Sequence, residues 1–239
     1  MATRKKTAPK GKKSSKSSPS LKKRARRWAL RALALAFLLA VLLVLLFRFV
    51  NPPTGFYMFS ESRRLGGVQR DWVPLEQIAP VMARAAVAAE DANFCNHWGF
   101  DMQAIRTAIE NGSARGASTI SQQTVKNVYL WHGRSWLRKA LEAGMTPLVE
   151  TLWPKRRIIE VYLNVAEFDE GVFGVGAAAP HYFGVAAADL SATQAARLAA
   201  ILPDPKERSA SRPGDFTRKR TAQIMDGAAT IRADGRAAC

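Results

Sequence analysis

Gly116-Ala-Ser-Thr119-Ile-Ser-Gln122-Gln-Thr-Val-Lys126-Asn127 is the stretch that decides how this chain folds. Thr119 and Gln122 have capping-box spacing, in which a threonine hydroxyl and a glutamine amide satisfy free N–H groups at a helix start. The spacing predicts a helix from there to about Leu130. On that helix Gln122 and Lys126 are four residues apart and share a face, with Gln123 and Asn127 beside them. Amides and an ammonium are costly to bury unpartnered, so this face is either solvated surface or the wall of a site for a polar ligand. Gly116 and the open helix start offer N–H groups that can receive an anion.

Helical signals continue on both sides. Pro80 suits the first turn of a helix whose Val81, Ala85, Val87 and Ala88 lead toward Glu90. Asp101 can cap a second, with Met102, Ile105 and Ile109 on one face and Asn111-Gly112 at its end. Downstream, Ser135 opens a helix in which Leu137, Leu141 and Leu148 repeat and Pro147 interrupts. A further helix covers Lys155 to Asn164. Ser191 to Gln194 forms another capping box, Pro203 stops that helix, and Asp215 to about Ile231 is the last. Period-2 alternation is scarce and no repeat is visible. The fold class is mainly α.

Polar residues concentrate in three places. Glu90-Asp-Ala-Asn-Phe-Cys-Asn-His97-Trp-Gly-Phe-Asp101 lies between two apolar helices, where burial would raise the Glu90 pKa and suit it to accept a proton. His97 reads as a structural hydrogen-bonding residue. The 116–127 stretch is the second. In the third, Arg134, Arg138 and Glu142 fall at i+4 steps opposite Leu137 and Leu141, either as a salt-bridged surface stripe or as guanidinium groups for phosphate oxygens. Gly174-Val-Gly176-Ala-Ala-Ala179 matches a dinucleotide fingerprint as a string, but no clear strand precedes it and no βαβ unit surrounds it.

The N-terminal region has a different character. Residues 1–31 hold 13 of the 36 Lys and Arg residues and none of the 19 acidic ones, so the formal charge of +17 belongs mostly to a tail. A nucleic-acid-binding globular domain loses its support, and no nucleic-acid partner is expected. Ala32 to Phe47 is an unbroken apolar run of 16 residues. Flanking Arg31 and Arg48 can snorkel, and the extended segment approaches the roughly 20 residues of a membrane span. Basic residues before it place the N-terminus in the cytoplasm and the rest outside. Asn51-Pro-Pro-Thr54 offers no small-x-small cleavage pattern, so an uncleaved anchor is expected. The expected divisions are a disordered basic tail at 1–28, an anchor at 29–50, a linker at 51–73 and the outer domain at 74–239. Two cysteines, Cys95 and Cys239, exclude a disulfide-dense scaffold, and the scattered histidines offer no zinc motif.

Taken together, EDxxFxxHxGxD (Glu90–Asp101), GASTISQQxxKN (Gly116–Asn127), RxxxRKxxE (Arg134–Glu142) and KxxIxExYLN (Lys155–Asn164) resemble the ordered motifs of the peptidoglycan glycosyltransferases. The resemblance covers roughly residues 75–210, and the single anchor is similar to the monofunctional biosynthetic type. It implies a lysozyme-like helical domain with a small membrane-associated lobe behind one transmembrane helix. The activity implied is polymerisation of lipid II, with inversion and release of undecaprenyl pyrophosphate. Glu90 would deprotonate the acceptor 4-hydroxyl, and Lys126 and Arg134 would neutralise the departing pyrophosphate. Glu142 would position those cations and the donor. Ser118, Gln122, Gln123, Asn127 and Arg138 would line the cleft.

The resemblance implies no required cofactor and no protein metal site, although Mg or Mn can act through the substrate pyrophosphate. Implied partners are lipid II, the growing lipid-linked chain, the bilayer, and other cell-wall synthesis or division proteins. The implied location is the bacterial inner membrane, with the catalytic domain periplasmic. Val128-Tyr-Leu-Trp131 and Trp136 form an aromatic patch suited either to the membrane interface or to core packing. Two other readings are a lytic enzyme that also uses a glutamate, and a non-catalytic scaffold. The Lys126/Arg134 pair suits a phosphorylated leaving group better than hydrolysis, and a scaffold has no use for the four charged residues together.

Overall fold

A computed structural model describes residues 21–110, 112, 118–133, 135–236 and 239. The chain divides into two compact units, Met1–Leu42 and Leu43–Cys239. Helix α1 (Leu21–Phe49) is long and apolar enough to cross a membrane, with a mean hydropathy of 2.8 over its best window. It begins well before the expected anchor. Residues 21–28, placed in the disordered tail, are helical because Leu, Lys, Arg and Ala are good helix formers attached to an apolar nucleus.

The expected linker at 51–73 is also folded. It contains α2 (Phe56–Leu65) and strand β1 (Gln69–Arg70). The reason lies in partners remote in sequence. Glu61 on α2 is buried between Arg64 at 2.5 Å and Lys206 at 2.8 Å, which pushes its pKa down to about 2. The Tyr57 hydroxyl donates to Glu167 at 2.6 Å.

Helix α3 (Pro80–Glu90) starts on Pro80, as its fixed φ favours, and ends at the glutamate. Asp101 caps α4 (Met102–Glu110) by accepting from Gln103 and Ala104. The capping box at Thr119 and Gln122 opens α5 (Ile120–Tyr129), and Ser135 caps α6 (Trp136–Leu152). Next come α7 (Lys155–Val165), strands β2 (Glu167–Asp169) and β3 (Val172–Phe173), and α8 (Val175–Phe183). The second capping box opens α9 (Ala192–Ile201), and α10 (Asp215–Asp234) runs slightly longer than expected. The small sheet has order β1-β3-β2, with β3 parallel to β1 and antiparallel to β2.

A short strand therefore does precede Gly174, contrary to expectation. The glycines there serve packing: Gly174 has φ +80°, and a Cβ on Gly176 would lie 2.4 Å from the Asp71 carbonyl oxygen. Among the described residues no strand follows α8, the helix that the glycines open, so the strand–helix–strand unit a dinucleotide site needs is missing there and that reading has no structural basis.

Helices α3, α9 and α10 pack together, and α5 packs against α6 and α7. Their apolar faces meet in one core containing Met82, Phe94, Ile120, Ile158, Tyr162, Leu198 and Ile224. From Val44 onward, α1 joins the second unit. Trp153 donates to the Val44 carbonyl at 2.7 Å, and Arg157 donates to the carbonyls of Phe47 and Val50. Arg157 thus satisfies backbone acceptors that every helix end leaves open. A disulfide joins Cys95 to Cys239, which the cysteine count alone did not indicate.

Candidate active site

Glu90 is the last residue of α3, half-buried, and the Gln123 side-chain amide donates to its Oε2 at 2.7 Å. Burial raises its pKa above the ordinary carboxylate value, while the Gln123 hydrogen bond and the charges of Arg220 and Lys126 oppose that rise. Its second oxygen accepts no hydrogen bond from the described residues. The segment behind it is closed by hydrogen bonds. Asp91 is buried, takes the Ile120 backbone N–H at 3.0 Å and pairs with His97 Nε2 at 2.7 Å. His97 Nδ1 accepts from Gly99 N, so the ring proton sits on Nε2 and points at Asp91. His97 is structural, as expected.

Helix α5 presents Gln123, Lys126 and Asn127 to a cavity of about 430 Å³, whose walls also include Tyr57, His132, Tyr162, Glu167 and Lys206. Desolvation lowers the Lys126 pKa, and the charge of Glu142 works against that. Among the described residues Lys126 has no ion-pair partner. Asn127 accepts from His132 Nε2 at 3.1 Å, and its amide N–H groups have no partner among the described residues. The His132 ring stacks on Tyr57 with centroids 3.5 Å apart, and desolvation with the charges of Lys126, Arg138 and Lys206 holds it neutral.

Gln122 is not among the residues that wall this cavity. Its side chain accepts from Thr119 N at 3.0 Å to close the capping box, and it is buried. The helical wheel placed it beside Lys126, but the cap claims its amide oxygen. Ser118 is exposed, 3.4 Å from Lys139 Nζ.

Glu142 is buried, at 2 % exposure, and bridges Arg138 at 2.6 Å and Lys139. The Arg138–Glu142 part of the expected charged stripe is therefore turned inward, and its apolar counterparts Leu137 and Leu141 face outward. Glu142 contacts neighbours on its own helix; it reaches Lys126 only through its charge. Arg134 and Gly116 lie outside the described residues. The aromatic patch divides: Val128 and Leu130 are core, whereas Trp131 and Trp136 are exposed, Trp136 at 92 %. Trp98, Met102 and Ile109 are exposed as well.

The fourth motif mostly builds shape. Asn164 exchanges hydrogen bonds with the Val73 backbone in both directions, and Glu160 lies within 3.4 Å of Leu75 N. Tyr57, His132, Glu167 and Lys206 escaped the sequence reading because they stand outside the polar clusters it singled out, on segments brought together only by the fold.

The arrangement holds a carboxylate of raised pKa and an ammonium, both without an ion-pair partner among the described residues, around Gln123 and beside a polar cavity. Residues 59–229 match the family model described as Transglycosylase. The chain belongs to the transglycosylase family. This transglycosylase is 59 % identical over 234 residues to the biosynthetic peptidoglycan transglycosylase of Jannaschia sp. (strain CCS1), covering 98 % of each chain. It is 47 % identical over 222 residues to the protein of the same name from Caulobacter vibrioides (strain ATCC 19089 / CIP 103742 / CB 15), covering 89 % of this chain and 97 % of that one. The family motifs at Glu90–Asp101, Gly116–Asn127, Arg134–Glu142 and Lys155–Asn164 all fall within the matched region.

Proposed function

We propose that this peptidoglycan glycosyltransferase extends glycan strands by joining lipid II to a lipid-pyrophosphate-linked donor chain, with Glu90 as the base. The observation that carries this reading is the closeness of Glu90 to Lys126: Gln123, three residues before Lys126 on α5, donates to the Glu90 carboxylate. The carboxylate has one oxygen fixed by Gln123 and the other without a partner among the described residues, and its raised pKa makes it a better proton acceptor. Removal of the acceptor 4-hydroxyl proton by Glu90 lets that oxygen attack the donor anomeric carbon from the face opposite the leaving group. The C–O bond to undecaprenyl pyrophosphate breaks with inversion. Negative charge then grows on the pyrophosphate, and Lys126 stabilises it more in the transition state than in the ground state. Arg134 shares this role in the proposal, Arg138 and Glu142 hold the electrostatic frame, and Ser118, Gln123 and Asn127 contact the substrates. Mg or Mn would enter as a companion of the substrate's pyrophosphate.

A lipid-linked substrate calls for a site close to a bilayer. Exposed Trp98, Met102, Ile109, Trp136 and Leu137 give the domain an apolar surface suited to the interface, and α1 gives it an anchor. The Cys95–Cys239 disulfide supports an oxidising compartment outside the cytoplasm. The test is incubation of the full chain in detergent with labelled lipid II, followed by gel separation of the products. The wild type should form polymer and Glu90→Gln should form none while remaining folded; near-normal turnover by that variant would remove Glu90 from the role of base.

A further inference from the structure

Tyr162 sits on α7 with 1 % of its surface exposed, and its ring belongs to the core. Its hydroxyl is buried and has no hydrogen-bond partner among the described residues. A buried hydroxyl without a partner is rare and costs stability, because folding strips its water and returns nothing. Phenylalanine would fill the same core position at no such cost. The other polar side chains on this part of α7 contrast sharply: Asn164 makes three hydrogen bonds and Glu160 pairs with Arg157.

Placement supplies the reason. Tyr162 forms part of the wall of the cavity lined by Gln123, Lys126 and Asn127. Burial first, and then the charges of Glu90 and Asp91, hold the phenol protonated, so the group can act as a donor. We propose that the Tyr162 hydroxyl, left without a partner by the fold, donates a hydrogen bond to the acceptor saccharide once it enters the cavity, orienting it beside Glu90. This rests on the reading of Glu90 as the base of a glycosyl transfer. The donated bond needs no further group, since the phenol proton remains on its oxygen and only the sugar oxygen is held.

Tyr162→Phe removes one oxygen and keeps the ring. The expected result is a Tm equal to or above that of the wild type, with kcat/KM for lipid II lower by about tenfold, the size of one lost hydrogen bond. The opposite signs separate a substrate contact from a structural one. An unchanged kcat/KM would overturn the proposal, and so would a fall in Tm, which would show that the hydroxyl has an internal partner. Wild type and Glu90→Gln run alongside keep the two readings distinct. If the wild type forms no polymer, the glycosyl-transfer reading fails; if it polymerises and Tyr162→Phe matches it, only the Tyr162 proposal fails. Circular dichroism at the assay temperature confirms that each variant is folded.

Discussion

Replacing Glu142 by Gln tests whether the inward-turned charges of α6 form an electrostatic frame for Lys126. The carboxylate is 3 % exposed at its side chain and pairs with Arg138, whose side chain is 14 % exposed. The second partner, Lys139, is 42 % exposed and solvent already screens most of its charge. The loss therefore comes mainly from Arg138, left with no counter-charge. Breaking such a buried pair from one side costs about 3–5 kcal/mol, and the isosteric amide favours the lower end. For a chain of this size 1 kcal/mol shifts Tm by roughly 2–4 °C, so the variant should melt about 6–12 °C lower. A second effect separates frame from filler. The Glu142 charge is the largest influence keeping the Lys126 pKa up against desolvation. Without it Lys126 should lose its proton at lower pH, and the alkaline limb of kcat/KM should move toward neutrality. Thermal unfolding in detergent and a pH–rate profile with labelled lipid II measure both. A Tm shift under about 2 °C, or an alkaline limb that stays in place, would refute the reasoning.

Other consequences follow from the same geometry. Because burial raises the Glu90 pKa, its ionisation opposes folding: stability should fall as pH rises from the ordinary value of 4.5 through the folded-state pKa, and Glu90→Gln should remove that fall while abolishing turnover. The acid limb of wild-type kcat/KM should lie above the ordinary glutamate range, because the base works only when deprotonated; a limb at or below that range would count against Glu90. Lys126→Ala should lose roughly 10²–10³ in kcat with little change in Tm, as expected for one preorganised cation at a departing pyrophosphate, and full activity would return the lysine to ordinary surface. The disulfide closes a loop of 144 residues, for which chain entropy gives about 5 kcal/mol. Reductant should therefore lower Tm by at least 10 °C and expose two thiols to titration, and an unchanged melting curve would show that the link adds nothing.

Much of the fold was legible because its helices announce themselves locally. Thr119/Gln122 and Ser191/Gln194 form both halves of their capping boxes, Pro80 starts α3, and Asp101 caps α4. What stayed hidden depends on partners distant in sequence. Asn51 to Asp71 looks like a linker until Lys206 reaches Glu61 and Tyr57 meets Glu167. The direction in which α6 faces was misread for a related reason. Leu137 and Leu141 look like a core stripe, yet Glu142 is the buried residue because Arg138 and Lys139 neutralise it. Gln122 shows the limit of helical-wheel reasoning: a residue on the right face does not line a cavity once its side chain is committed to a cap.

The motif residues divide by whether their hydrogen bonds are closed. Asp91, His97, Thr119 and Asn164 spend their polar side-chain atoms on the protein itself, as Gln122 does its side-chain oxygen, and together they hold the end of α3 against the start of α5 and the 73–75 segment against α7. Glu90, Lys126 and Tyr162 do not: one carboxylate oxygen, one ammonium and one phenol hydroxyl have no hydrogen-bond or ion-pair partner among the described residues. Each of the three is desolvated, so each carries an energetic cost that the satisfied residues do not. Three such costs at or beside one cavity are hard to reconcile with a fold optimised only for stability, and on the proposed reading they cease to be costs once a hydroxyl, a pyrophosphate and a saccharide occupy the cleft. On this view the closed residues set the distances and the open ones wait for substrate. Substitutions in the first group should therefore lower stability and activity together, whereas substitutions in the second should lower activity alone.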